Sequence, residues 1–190
     1  MQATMRLADS AIAELELEAG ATRRVLERIP EDKLSWRPHP KSMSLGQLAL
    51  HIASTPAGVA KIASMDTMEA PDFEQPRPEP TSKAEVLETF ERSLGAAKAF
   101  LQNLDDDRAE ATWTMIRAGK QAMAMPRIGF VRMVMFRHLY HHRGEMCVYL
   151  RLLDVPVPSV YGPSADGNPV AGRAPPRVEL RQARGRPVRL

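Results

Sequence analysis

Four stretches of about twenty residues, each apolar at three- and four-residue intervals and the first and last closed off by proline, constrain this 190-residue chain more than any other feature. Apolar side chains at that spacing line one face of an α-helix, and the face has to be buried. The first stretch runs from Ala8 to Ile29 and carries Leu15, Leu17, Val25 and Leu26 before Pro30. The second runs from Ser44 to Ser64, the third from Thr81-Ser82 to about Leu104, and the fourth from Pro126 to Leu153. Helices of that length with one or two long connections describe an all-α four-helix bundle.

The boundaries carry their own signals. Ser44 with Gln47, and Ser82 with Glu85, have the spacing of a capping box ahead of an apolar run. Pro126 reads as the first helical residue of the last stretch, where a missing N–H costs nothing. Pro56 falls inside the second stretch and is expected to kink it. Between helices, residues 31–43 read as an extended connector whose Trp36 packs back on the core. Residues 69–80, with four prolines, read as a loop. Asp105, Asp106 and Asp107 read as a solvated turn. Residues 111–125 read either as a short hairpin turning at Gly119 or as an irregular crossover. After Pro156 and Pro158 the chain is expected to wrap the surface as an irregular C-terminal extension.

Composition removes several classes of function. One cysteine, Cys147, excludes an intramolecular disulfide and any multi-cysteine zinc site, and reads as a small buried hydrophobe. The opening residues lack the apolar core of a signal peptide, and no run approaches the ~18 apolar residues of a membrane span. A cytoplasmic location with no membrane partner is the expectation. The formal charge of +3 is concentrated at one end: six of the 26 basic residues, Arg173 to Arg189, fall in the last eighteen positions. The rest of the chain is slightly acidic, so nucleic acid is not an expected partner. The organisation that follows is a helical domain over residues 1–167 and a basic, Pro/Arg-rich tail over residues 168–190.

Histidine is where the chemistry lies. The fourth stretch contains RHLYHHRGEM, with His138, His141 and His142. At about 100° per residue, His138 and His142 lie about 40° apart on one face, one turn displaced, and can close on one ion. His138 with His141 is the alternative, although His142 continues the apolar stripe better. A third ligand must come from another helix, and His51 stands among Leu45, Leu48 and Ile52 on the buried side of the second. A neutral histidine on an apolar face is more often a core residue, and spacing alone leaves the two readings level. His39, between Pro38 and Pro40, has no evident partner.

The segments WRPHPKSMSLGQLALHIA and FRHLYHHRGEMCVYLRLLDVPVPSVYGPSADG together resemble the DinB/YfiT-like superfamily of metal-dependent four-helix-bundle proteins, over about residues 5–167. The resemblance implies a divalent metal, zinc or nickel, held by His51, His138 and His142. It also implies a homodimer and a small-molecule substrate. Relatives of that kind include low-molecular-weight-thiol S-transferases, so a metal-dependent thiol transferase is the leading expectation. A metal-dependent hydrolase and a non-catalytic, stress-linked metal-binding or scaffold bundle are the alternatives. One departure stands out: Glu145 occupies the place after Arg143-Gly144 where relatives often carry glutamine. It would tune the site or meet a partner. Arg143 points away from a metal centre and suits a salt bridge, and Tyr161 suits packing.

Overall fold

The amphipathic stretches become helices with the caps their sequences carry. In the computed structural model, which describes residues 5–72 and 75–168, α1 spans Leu7–Leu26, α2 Leu45–Ser64 and α3 Lys83–Gln102. The last stretch is a rod of three parts, with α4 (Asp106–Glu110) lying before it. These parts are α5 (Arg127–Phe130), a π-helical segment (Val131–Arg137) and α6 (His138–Leu152). The tail beyond residue 168 lies outside the described residues.

Ser44 and Gln47 close a reciprocal box, each side chain accepting from the other's amide at 3.0 Å. Ser82 accepts from the Glu85 amide, but Glu85 turns outward and takes the Thr81 amide and hydroxyl instead. Asp105 caps α4 by accepting from the Arg108 amide, which gives the aspartate run a structural role. At Pro56 α2 continues without a break. The amide just beyond the ring, that of Ala57, donates to Ser93 Oγ on α3 at 2.8 Å, so a neighbouring helix satisfies the opened ladder. Trp36 packs edge-on against Tyr149 with ring centroids 5.6 Å apart.

The bundle is not purely helical. Of the two readings for residues 111–125, the hairpin is the one formed: β2 (Thr112–Arg117) pairs antiparallel with β3 (Lys120–Pro126). Ala118 and Gly119 both take positive φ in the two-residue turn, as a type I′ hairpin requires. A third strand, β1 (Thr67–Glu69), adds parallel to β2 directly after α2. Its three residues are too few to show alternation, so no sequence period announces it. Pro126 ends β3 and caps the last rod rather than opening it.

The rod also departs from one continuous α-helix. Over Val131–Arg137 its hydrogen bonds reach one residue further, a π turn immediately ahead of His138. Apolar periodicity blurs over such a segment because both registers leave a Met- and Val-rich face inward. Leu17, read as a member of a buried stripe, is 75% exposed, and Leu152 near the end of the rod is 59% exposed.

Two apolar clusters fill the interior. Trp113, Phe130, Met135 and Phe136 belong to one, and Leu48, Ile52, Phe90, Leu139 and Tyr149 to the other. The rod passes from the first to the second at His138.

A polar device fastens the sheet end. Arg127 is fully buried, and its guanidinium donates to the carbonyls of Ala63, Met65 and Arg108 and to Asp66. The frayed carbonyls at the end of α2 are thereby tied to the start of the rod.

Candidate metal centre

The packing of α2 against the rod brings together His51, His138 and His142, the set that the resemblance implies. Their ring centroids lie 4.3–5.0 Å apart. The planes meet at 84–89°, so the rings pack edge to face. One ligand atom from each lies within 4.8 Å of the other two, and the Nε2 atoms of His51 and His138 are 2.8 Å apart. Four-coordinate zinc, with Zn–N about 2.0–2.1 Å, sets neighbouring nitrogens about 3.4 Å apart, within the range these rings span.

Electrostatics suits ligation. Burial, helped by the charges of His142, His138 and Arg77, pushes the pKa of His51 down to about 4. Burial also lowers His138 and His142, the latter against the opposing pull of Glu145. All three rings are therefore neutral near pH 7, the form in which imidazole binds a metal. The donor set and its protonation state fit a divalent transition metal.

Glu145 now has a place. Its Oε2 stands 2.9 Å from Nδ1 of His142, and Tyr149 donates to its other oxygen at 3.4 Å. A carboxylate accepting from Nδ1–H holds the imidazole in the tautomer whose Nε2 lone pair is free for a metal. Glu145 thus falls where it orients the His142 ring. His141 is exposed; with His142 and Glu145 it forms a second possible ligand group, which shares two of its members with the arrangement just described.

Other sequence candidates lie elsewhere. His39 is exposed and accepts from the Lys41 amide. Cys147 is half-buried, with burial pushing its thiol pKa up, which is the wrong direction for a nucleophile. Arg143 is buried on the opposite side of α6. It pairs with Glu18 at 2.6 Å and donates to Thr22 at 3.0 Å and to the Tyr161 hydroxyl. Tyr161 packs on Arg143 and does not fold over the histidines.

Beside the triad opens a chamber of about 410 Å³, with His51 and His138 in its wall. The rest of the lining is almost wholly apolar, and much of it comes from the sheet. Strand register sets Met68 beside Met115 and Met115 opposite Met123, a row of thioethers across three strands. Trp113 and Phe130, stacked with centroids 3.9 Å apart, line it as well. On the other side of His51 lies a smaller recess of about 80 Å³, bounded by Gln47, Ser54 and Arg77. Sequence reading missed the chamber, Arg77 and Arg127. The only visible trace was the alternation of methionines in the hairpin.

Comparison with known proteins agrees with this architecture. Residues 14–146 match the profile of the DinB superfamily. The uncharacterized protein YrdA of Bacillus subtilis (strain 168) is 30% identical over 153 residues, covering 80% of this chain and 86% of that protein. Among solved structures, a DinB-like protein from Bacillus cereus ATCC 10987 superposes with a TM-score of 0.61 at 23% identity, covering 78% of this chain and 94% of its own. The DinB-like protein YjoA of Bacillus subtilis gives 0.57 at 19% identity, covering 75% and 90%. At those identities the two structures speak for the fold alone.

Proposed function

The chain belongs to the DinB superfamily, and from that premise we propose that it is a metal-dependent enzyme whose zinc or nickel ion is held by His51, His138 and His142. Its reaction, on this reading, is transfer of a low-molecular-weight thiol to an electrophile. The observation that carries the reading is the convergence of three neutral imidazoles on one point beside a chamber large enough for a substrate. Three protein ligands are the mark of catalytic metal sites, where further positions stay open, whereas structural zinc is fully enclosed by protein. A divalent metal bound there supplies Lewis-acid activation, lowering the pKa of a thiol or water that reaches it.

The chain's own residues do the rest. His51 and His138 stand in the chamber wall, so a group bound in the chamber meets the triad directly. Glu145 holds the His142 ring in orientation. The methionine row and the Trp113–Phe130 stack keep water away from that side of the site. A charge-neutral ligand set leaves the 2+ charge undiminished, which favours thiolate over thiol.

Metal analysis of the purified protein is expected to give one zinc or nickel per chain, falling below a tenth of that in His138→Ala. The reaction is then read with bacillithiol, mycothiol and glutathione against 1-chloro-2,4-dinitrobenzene. In that assay the sulfur–carbon bond forms, chloride departs with the bonding pair, and the thiol proton passes to buffer. No acceleration by the metal-loaded protein with any of the three thiols would remove thiol transfer and bring ester hydrolysis forward. The homodimer implied by the resemblance is read by sedimentation equilibrium on the same sample.

A further inference from the structure

The chamber next to the triad has features that metal binding alone does not call for. An apolar void of about 410 Å³ is large for a packing defect, since protein interiors close up to crystal-like density. A cavity of about 150 Å³ already accommodates benzene, so this one has room for about two fused rings or a medium alkyl chain. Its size falls within the range of small-molecule pockets, which are largely apolar with a few placed polar groups. Among the described residues no charged side chain lines it, and its polar atoms gather at His51, Ser54, Thr55 and His138.

One residue marks the rim of this space. Gly58 lies in the interior of α2, on the face that carries His51, Ser54 and Thr55 into the chamber wall. Glycine is a poor helix residue, and nothing local requires it, since a Cβ built there meets no atom within 4 Å. Any larger side chain at this position would project into open space at the rim. Ser54, one turn earlier, is small and exposed too. The methionines opposite are unbranched and pliable, which suits walls that adjust to an occupant.

We propose that this chamber binds the apolar part of the substrate: an uncharged aromatic or alkyl group of roughly eight to ten carbons, sized by cavity precedent, seated between the methionine row and the Gly58 face. The proposal rests on the reading of the triad as a metal centre and specifies what that centre acts on. Selection there is by volume and not by hydrogen bonding. Homologous apolar groups are therefore accepted with small differences in affinity, while cationic isosteres are rejected.

Trp113 provides the test, because it lines the chamber and the chain has only two tryptophans. In a Trp36→Phe background its fluorescence is titrated with 4-bromobenzyl alcohol, a neutral heavy-atom quencher, and with 4-bromobenzylammonium, its cationic isostere, which neither the apolar wall nor a divalent cation favours. The alcohol is expected to quench saturably with half-saturation below about 1 mM, and the ammonium to bind at least tenfold more weakly. Gly58→Leu is expected to abolish the saturable phase while keeping helical circular dichroism. Ser54→Leu takes its place if that variant does not fold. Linear quenching without saturation, or unchanged binding in the filled variant, overturns the proposal. Zinc content is measured on the same samples. Saturable quenching without zinc would remove the metal reading and leave the chamber as a ligand site. Bound zinc without saturable quenching would remove the chamber and leave the metal.

Discussion

His142 owes its fixed orientation to a neighbour three residues away. With Nδ1–H directed at Glu145 Oε2, at 2.9 Å, the ring has one tautomer and one orientation. Loss of such a partner commonly weakens metal binding 10–100-fold. Glu145→Ala is therefore expected to weaken zinc affinity by about that range, measured by chelator competition. Glu145→Gln, which keeps an acceptor oxygen but not the charge, should lose less. Protonation belongs to the same scale. Because burial holds the pKa of His51 at about 4, below its ordinary 6.5, the unfolded chain takes up a proton there before the folded one does. Stability contributed by the neutral ring is complete above pH 6.5 and is lost as pH falls toward 4. His138 and His142 shift in the same direction and add to the effect. Urea midpoints of the metal-free protein should fall across that window, and by less in His51→Ala. An equal fall in the variant would show that other groups dominate acid unfolding.

At the scale of elements, two buried guanidiniums decide how the helices are joined. Arg143 ties α6 to α1 through Glu18 and Thr22, and Arg127 ties the rod to the end of α2. Arg143 and Glu18 are 1% and 7% exposed, so removing one partner strands a charge in the interior. Glu18→Ala is expected to cost about 3–5 kcal/mol in chemical denaturation. Replacing both residues together, Glu18→Leu with Arg143→Met, should cost much less. A fully additive double variant would mean that the pair does not interact. The π segment acts at this scale as well. It carries Met133 and Val134 into the chamber wall directly before the rod delivers His138.

For the whole molecule, a metal bound at the triad would be linked to folding, because the triad joins α2 to the rod and exists only when both are docked. A ligand at about a thousandfold excess over its Kd stabilises a protein by about 4 kcal/mol. For a domain of this size that corresponds to a rise of about 8–16 °C in Tm. Zinc should produce such a rise, EDTA should reverse it, and His138→Ala should show almost none. An unchanged melting temperature with zinc bound would mean that the ion sits away from the helix junction. Among the described residues, no helix is long and apolar enough to cross a membrane.

What could be read in the chain by itself was local and periodic. The box at Ser44, the cap at Ser82, the faces of α2 and α3, the hairpin turn at Gly119 and the four-residue spacing of His138 and His142 all depend on residues within a turn or two of one another. Three properties were beyond such reading. Glu145 reaches His142 only because both lie on a helix whose phase is set by packing, and a carboxylate at that spacing is otherwise a solvated surface group. β1 exists because β2 passes beside it. The chamber arises where three strands, α2 and a π turn fail to close upon one another. A void has no residues of its own, so only the arrangement of its walls in space creates it.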